Sequence, residues 1–320
     1  VPELPEVEVV RAGLERHLRG RRVTAVEVLD PRPLRRQAGG VEGLRSQLVG
    51  RTLEAVVRRG KFLWAPLGRD RALSVHLGMS GQLLVRDGED PRRCEPGSAG
   101  QAPSSGRPLT QVPQGHRHLR LRLHLGPQPR GPQTAARLDL VDQRMLGGMH
   151  VAALVPTCDG APGGRGTSAA LLPADTTHVA RDLLDPDLDR SRVVERVRAS
   201  RRAVKTLLLD QGIVSGVGNI YADEGLWHAG LHGARPGTSL GEHAVTGLLE
   251  AVAQVMDRAL EAGGTSFDEL YVDAEGSPGY FARALEAYGR VGQPCHRCRA
   301  LMQVERIGGR SHTYCPCCQR

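Results

Sequence analysis

The sequence predicts an α+β multidomain protein: antiparallel sheet in the first half, helices in the second, and a small metal-bound ribbon at the end. Three observations carry this reading. Short β-branched runs fill residues 23–85, and strict alternation marks 117–125 (RHLRLRLHL) and 137–141 (RLDLV) as half-buried strands. From about Asp182 the apolar residues recur at helical spacing instead. Finally, the chain ends on Cys295-x2-Cys298 and Cys315-x2-Cys318 with sixteen residues between them. That is the spacing of a four-cysteine zinc ribbon, in which two thiolate knuckles close a tetrahedron across a hairpin.

Each element follows in order. Pro2-Glu3-Leu4-Pro5-Glu6 opens onto Val7, Val10, Leu14 and Leu18, an apolar stripe, and Pro5 with Glu6 suits the start of that helix. VTAVEVL, LEAVV, FLWAPL and LSVHL are strands cut by Gly, Pro and charge. Residues 86–115 hold 13 Gly, Pro or Ser in 30 and no aromatic, which predicts a disordered surface insertion. Residues 156–177 have a similar composition and predict an interdomain linker. In the helical half, Ser239-x-x-Glu242 has the form of a capping box, Val245, Leu248, Leu249, Val252, Met256 and Leu260 follow on one face, and Gly263-Gly264 ends the helix. Upstream, VSGVGNIYADEGLWHAGL sets a glycine-rich turn before a helix whose first N–H groups suit phosphate, although a purely structural helix-turn-helix fits as well. The domains are therefore drawn as 1–155, a linker 156–180, a helical unit 181–288 and the ribbon 289–320.

Composition narrows the function classes. The 320 residues, 40% hydrophobic, suffice for two ordinary cores. No run approaches the roughly 18 apolar residues of a membrane span, and the N-terminus has no signal-peptide pattern, so a soluble cytoplasmic protein is expected. A net charge of +8 points to a polyanionic partner, and +5 of it falls in residues 289–320. A solvated charge run is the lesser alternative for that cluster. Arg310, after Gly308-Gly309 at the expected hairpin turn, can reach a phosphate. Ten aromatics are too few for a single-strand binder built on stacking. Only two of the 43 basic residues are lysine, Lys61 and Lys205. Cys317 could replace a neighbour as ligand, Cys94 and Cys158 read as incidental, and paired disulfides would need an oxidising compartment that nothing here supports.

PELPEVE, RRGKFLW, HLGMSG, VSGVGNIYADE, GGTSFDELYVDAEGSPGYF, the AYGR stretch and the cysteine ribbon, in this order, resemble the formamidopyrimidine-DNA glycosylase and endonuclease VIII family. The resemblance covers nearly the whole chain outside the two insertions. It implies an N-terminal β-sandwich with flanking helices, a helix-two-turns-helix domain carrying a lesion-recognition loop, one structural Zn2+ on Cys295, Cys298, Cys315 and Cys318, and a monomer at work on the nucleoid. It also implies a base-excision-repair enzyme that removes 8-oxoguanine and formamidopyrimidines from duplex DNA and cleaves abasic sites.

In that family proline becomes the N-terminus, so Pro2 is the expected nucleophile, with Glu3 as acid/base partner, Glu6 as electrostatic support and Lys61 at a phosphate, where a compact ammonium is wanted. Val1 precedes Pro2 here. In a Val-Pro peptide the proline nitrogen is a tertiary amide, so Val1 is read as a GTG start translated as methionine and excised. A flipped base leaves a hole that Met79, Arg144 and Leu146 are expected to fill, Leu146 standing where the family has phenylalanine. Standing alone, Met79 would read as a core methionine. Lys205, Asn219, Arg310, His76 and His116 carry over as DNA contacts. Gly264, Thr265, Ser266 and Tyr280 are placed near the flipped base. PELPE with the loop favours purine lesions over the oxidised pyrimidines of the endonuclease VIII branch. A catalytically silent damaged-DNA binder, motivated by Val1 and Leu146, is the alternative from another class.

Overall fold

The computed structural model describes residues 2–87, 117–264 and 284–320. Cys94, His116, Thr265, Ser266 and Tyr280, and all of the 86–115 insertion beyond residue 87, lie outside the described residues.

Helix α1 (Leu4–Leu18) starts where Pro5 fixes the first turn and the Glu6 carboxylate accepts the Glu3 N–H at 2.8 Å. Its apolar stripe then packs on two antiparallel sheets. One has the order β1 (Val23–Val28), β6 (Leu119–Leu125), β7 (Ala136–Asp142), β5 (Gly81–Asp87). The other runs β2 (Val57–Arg59), β3 (Phe62–Pro66), β4 (Arg71–His76), β8 (Gly148–Pro156), β9 (Leu171–Pro173). Leu121, Leu123 and Leu125, the alternate residues of β6, are buried with Leu63, Leu73 and Val75 of the second sheet and with Val7, Val10 and Leu14 of α1. Strict alternation in the sequence thus became one face of a sandwich. Helix α2 (Gly40–Leu48) adds Leu44 and Leu48 to the same core.

Residues 156–177 are a correction, because they form part of this domain and do not serve as a free linker. Trp64 points away from Leu63, to the outer face of the second sheet, and is 1% exposed. The segment covers it. A Cβ on Gly164 would sit 3.1 Å from the Trp64 ring and 2.3 Å from the Arg58 carbonyl oxygen, and one on Gly163 would meet Leu171 O at 1.9 Å. Glycine here reflects close packing, and composition alone read it as looseness.

The second core belongs to α3 (Arg190–Arg198), α4 (Val204–Leu208), α5 (Asn219–Ala229) and α6 (Glu242–Glu261). Leu4, from the first turn of α1, is buried in it, whereas Val7 belongs to the sandwich core. One helix therefore joins both cores, with its N-terminus at the seam. A buried ion network reinforces the seam: Arg58 donates to Glu8 and to Asp182, each at 2.7 Å. The α6 capping box is a second correction. The N-cap is Gly241, while Ser239 closes a separate 3-10 turn by donating to Pro236 O. Gly263 and Gly264, at φ +77° and +90°, do end α6.

The ribbon is a hairpin of β10 (Gln303–Ile307) and β11 (Arg310–Tyr314). Gly308 and Gly309 turn it at φ +57° and +79°, both left-handed, as a tight two-residue turn requires. No helix among the described residues is long and apolar enough to cross a membrane.

Candidate active site and nucleic-acid interface

The glycine-rich turn holds a carboxylate of the protein itself. Glu3, 3% exposed, accepts N–H bonds from Gly218 at 2.7 Å, Ile220 at 2.9 Å and Tyr221 at 3.4 Å, at the start of α5. A Cβ on Gly218 would lie 2.2 Å from the Glu3 carboxyl carbon, and Gly216 at φ +87° lets its carbonyl accept the Leu4 N–H at 3.0 Å. Of the two readings of this turn, the structural one fits the Gly218, Ile220 and Tyr221 N–H groups, which Glu3 occupies in place of a phosphate. Only Asn219 stands at the rim, donating through Nδ2 to Ser311 Oγ at 3.1 Å.

Buried Pro2 precedes this carboxylate. Burial pushes the Glu3 pKa up to about 7, against the pull of Lys61 and the backbone donors, and the charge of Glu6 adds to the rise. Glu6 accepts from the Glu3 N–H and from the Tyr221 hydroxyl, both at 2.8 Å. Lys61 follows Gly60 at the β2–β3 turn and donates to Val217 O at 3.0 Å. Desolvation lowers its pKa, opposed by Glu3 and Glu6 and assisted by Arg310. Arg310, exposed beyond the hairpin turn, is thus close enough to act on Lys61 electrostatically. Gly264 reaches the same place, since its Cβ would lie 3.6 Å from Glu6 Cγ.

Lys205 requires a correction. It is 0% exposed and donates to Asp223 Oδ1 and to Ser311 O, each at 2.5 Å. His312 Nδ1 lies 2.7 Å from the same Asp223 oxygen, and the Thr313 N–H donates to the other at 3.1 Å. Lys205 therefore ties the ribbon to α5 and cannot reach DNA. Arg297 is also structural: its guanidinium lies 3.8 Å over the Trp227 ring and donates to Trp227 O.

Met79 and Leu146 are exposed, at 36% and 46%, and Arg144 lies beside Met79 Sδ at 4.0 Å. The three come together because Gly78 permits backbone contact, its Cβ position lying 2.5 Å from Gly147 N and from Leu146 C. His76 accepts the Gly78 N–H on Nδ1 at 3.0 Å. Burial, with Arg36, Lys61 and Arg35 nearby, lowers its pKa, so it is a neutral support of this turn.

Cys295, Cys298, Cys315 and Cys318 place their sulfurs within 4.8 Å of one another, and Cys295 and Cys315 are buried. Tetrahedral zinc at about 2.3 Å from each sulfur needs sulfurs about 3.8 Å apart, so the set fits one structural Zn2+. Cys317 is exposed and outside the cluster.

Three functional residues escaped sequence reading. Tyr221 bonds Glu6, and its only signal is the aromatic one turn into α5. Glu224 accepts the N–H groups of Glu286, Ala287 and Tyr288 at 2.8–2.9 Å and so anchors the chain just after residue 283. Its signal is an acid i+3 from Tyr221 on a buried helix face. Asp142, fully buried, accepts from Ser80 Oγ and from the Arg144 and Gly147 N–H groups.

Residues 1–149 match the formamidopyrimidine-DNA glycosylase N-terminal domain, 179–270 the formamidopyrimidine-DNA glycosylase H2TH domain, and 292–320 the zinc finger found in FPG and IleRS. The chain is 47% identical to a formamidopyrimidine-DNA glycosylase of Nocardioides sp., over 100% of this chain and 94% of the relative. A Leifsonia xyli relative of the same name is 44% identical over 100% of both chains. Among solved structures, a Lactococcus lactis Fpg complex with abasic-site DNA superposes at TM-score 0.75, with 27% identity over 99% of both chains. A complex of that protein with Fapy-dG DNA gives 0.73, also at 27% identity, over 99% of this chain and 100% of that one.

Proposed function

The chain belongs to the formamidopyrimidine-DNA glycosylase family, and from that premise we infer that it is a base-excision-repair enzyme, both glycosylase and abasic-site lyase, working through Pro2 on oxidised purines in duplex DNA. The observation that carries this reading is the Glu3 carboxyl, buried beside Pro2 with its pKa raised to about 7. A carboxyl so placed is half protonated at neutral pH and can give a proton at the reacting sugar.

The proposed chemistry starts from Pro2 as the amino terminus, so removal of Val1 is part of it. The free secondary amine attacks the deoxyribose C1′, and the C1′–N bond to the base breaks as the base leaves with a proton. Glu3 protonates O4′ as the C1′–O4′ bond opens, which leaves a Pro2 iminium at C1′. Loss of a C2′ proton then expels the 3′ phosphate, and a second elimination expels the 5′ phosphate. Lys61 and Arg310, both cationic at the rim, would hold the phosphates flanking the opened sugar, with Asn219 between them. Met79, Arg144 and Leu146 would occupy the space of the displaced base. Gly264, with Thr265, Ser266 and Tyr280, would contact the displaced lesion, and His116 would be a further phosphate contact. Zinc would hold Arg310 in place through the ribbon. A DNA substrate would bring the enzyme to the nucleoid.

Borohydride reduction tests this reading. Protein shown by mass spectrometry to begin at Pro2 should form a covalent adduct with abasic-site or 8-oxoguanine duplex, and absence of that adduct would leave a damaged-DNA binder. Preference for thymine glycol over 8-oxoguanine would move the substrate to oxidised pyrimidines.

A further inference from the structure

We propose that Arg35, a residue outside the reaction centre, is a positioning residue for base displacement: it holds the Leu146 loop in the shape that lets a leucine act as the wedge. The inference rests on the reading of Met79, Arg144 and Leu146 as the residues that fill the vacated base position.

The loop 142–147 is held from both sides. On the inner side, the Asp142 carboxylate takes the Arg144 N–H at 3.1 Å, the Gly147 N–H at 2.8 Å and the Ser80 hydroxyl at 2.6 Å. On the outer side, Arg35 donates through one terminal nitrogen to Gly147 O at 2.7 Å and through the other to Leu146 O at 2.8 Å. A guanidinium is suited to this because its two terminal nitrogens are fixed in one plane and can span adjacent carbonyls. The segment needs such restraint. Met145 adopts φ +55°, a left-handed conformation that a non-glycine residue holds only when its surroundings impose it. Relaxation at Met145 would swing both neighbours, Arg144 and Leu146. Gly78 seals the arrangement against the Met79 turn, where any larger residue would strike Leu146 and Gly147 backbone.

The restraint matters more here than with a ring at position 146. An aromatic wedge gains from stacking on neighbouring bases, so it has a second means of finding its place. Leucine gains only by contact, and its position must be set by the backbone beforehand. Arg35 comes from the turn after the 3-10 segment Arg32–Leu34, so the β1–α2 connection controls the wedge from outside the loop. Neighbouring Arg36 faces Asp175 at 4.0 Å instead and supplies a control of the same charge.

The test uses the full zinc-loaded chain with Arg35→Ala, Arg35→Gln, Arg36→Ala, Leu146→Ala and the Arg35→Ala/Leu146→Ala pair. Single-turnover excision from an 8-oxoguanine duplex is compared with cleavage of a single-stranded abasic oligonucleotide, where no hole needs filling. Arg35→Ala should slow duplex excision about tenfold, with Arg35→Gln between it and the parent, and leave single-strand cleavage within about twofold. On the Leu146→Ala background it should cost nothing more, and Arg36→Ala should not reproduce the pattern. Equal loss on both substrates, or losses that add, overturns the proposal while leaving the wedge assignment intact. A weaker salt dependence of binding to undamaged duplex, by about one phosphate in Arg35→Ala alone, would make Arg35 a DNA contact and also overturn it. Unchanged duplex excision in Leu146→Ala would overturn the wedge reading and this inference together.

Discussion

The two lysines sit in two regions that solve opposite problems with the same ammonium. Lys61 stands near Glu3 and Glu6, with a bond to the Val217 carbonyl and both carboxylates opposing the desolvation that lowers its pKa. Lys205 is sealed under the ribbon, where Asp223 and the Ser311 carbonyl enclose it. Both positions set an ammonium against a backbone carbonyl, Val217 O for Lys61 and Ser311 O for Lys205. In a chain this rich in arginine, the scarce residue marks a demanding site, but depth and the nearest carboxylate decide whether the demand is chemistry or assembly.

Exchanging the lysines for neutral residues should break the pair apart. Lys61→Ala is expected to slow strand cleavage by about 10²-fold or more while moving the melting temperature little, because it removes a rim cation from the reaction. Lys205→Met should do the reverse. Leaving Asp223 buried without its ammonium, held only by His312 and the Thr313 N–H, costs about 3 kcal/mol, read as a fall in melting temperature with loss of DNA binding as the ribbon detaches. Adding Asp223→Leu should recover only part of that stability, because it leaves buried His312 and the Thr313 N–H without their acceptor. A Lys205→Met protein of normal stability with only a DNA-binding defect would show that the buried pair is misread.

Zinc removal sharpens the same boundary. Chelation should abolish DNA binding, since Arg310 depends on the hairpin, yet leave the two-sheet domain folded because the ligands all lie in the terminal module. The two tryptophans separate the outcomes. Emission from Trp227, packed on Arg297 and the ribbon, should change, while Trp64 beneath residues 163–164 should not.

How far these regions could be read from the sequence differs in an instructive way. Alternation in 119–125 and the periodicity of α6 were legible because a single face of each element meets a core. The four cysteines were legible because metal geometry fixes their spacing. Residues 156–177 misled because Gly and Pro look the same in a loose chain and in one pressed against Trp64. The glycine-rich turn misled for a related reason: free N–H groups at a helix start attract any anion, and sequence does not say that Glu3, about 215 positions earlier, is the one that arrives. Lys205 belongs with these, since its partner Asp223 lies 18 positions further on and no spacing rule pairs the two.

Glu3 gives a pH test whose effect on stability is no larger, though its effect on rate is. Its pKa rises from 4.5 to about 7 on folding, so the folded state binds the proton more tightly than the unfolded chain does. The stability this contributes is fully present below about pH 4.5 and is lost as pH rises through about 7, a change of about 3 kcal/mol if Glu3 acts alone. The excision rate should likewise fall as pH rises past 7, because the acid form is consumed. Glu3→Gln should flatten this part of the stability curve and depress excision by about 10²–10⁴-fold at every pH. A stability curve unchanged in shape would place the titration elsewhere.

The smallest effect concerns Leu146. Substituting Phe restores a ring to an exposed position whose backbone is already fixed by Asp142 and Arg35, so the change should cost the fold almost nothing. Stacking of an aromatic on a base is worth about 1–3 kcal/mol when a ring is removed, but leucine already supplies part of that contact. A gain of about two- to fivefold in single-turnover excision from duplex is therefore expected, with single-strand abasic cleavage unchanged. The comparison with Arg35 makes the outcome diagnostic. If the ring supplies its own placement, Leu146→Phe should also soften the loss caused by Arg35→Ala, whereas a clamp needed equally by both side chains would leave that loss undiminished.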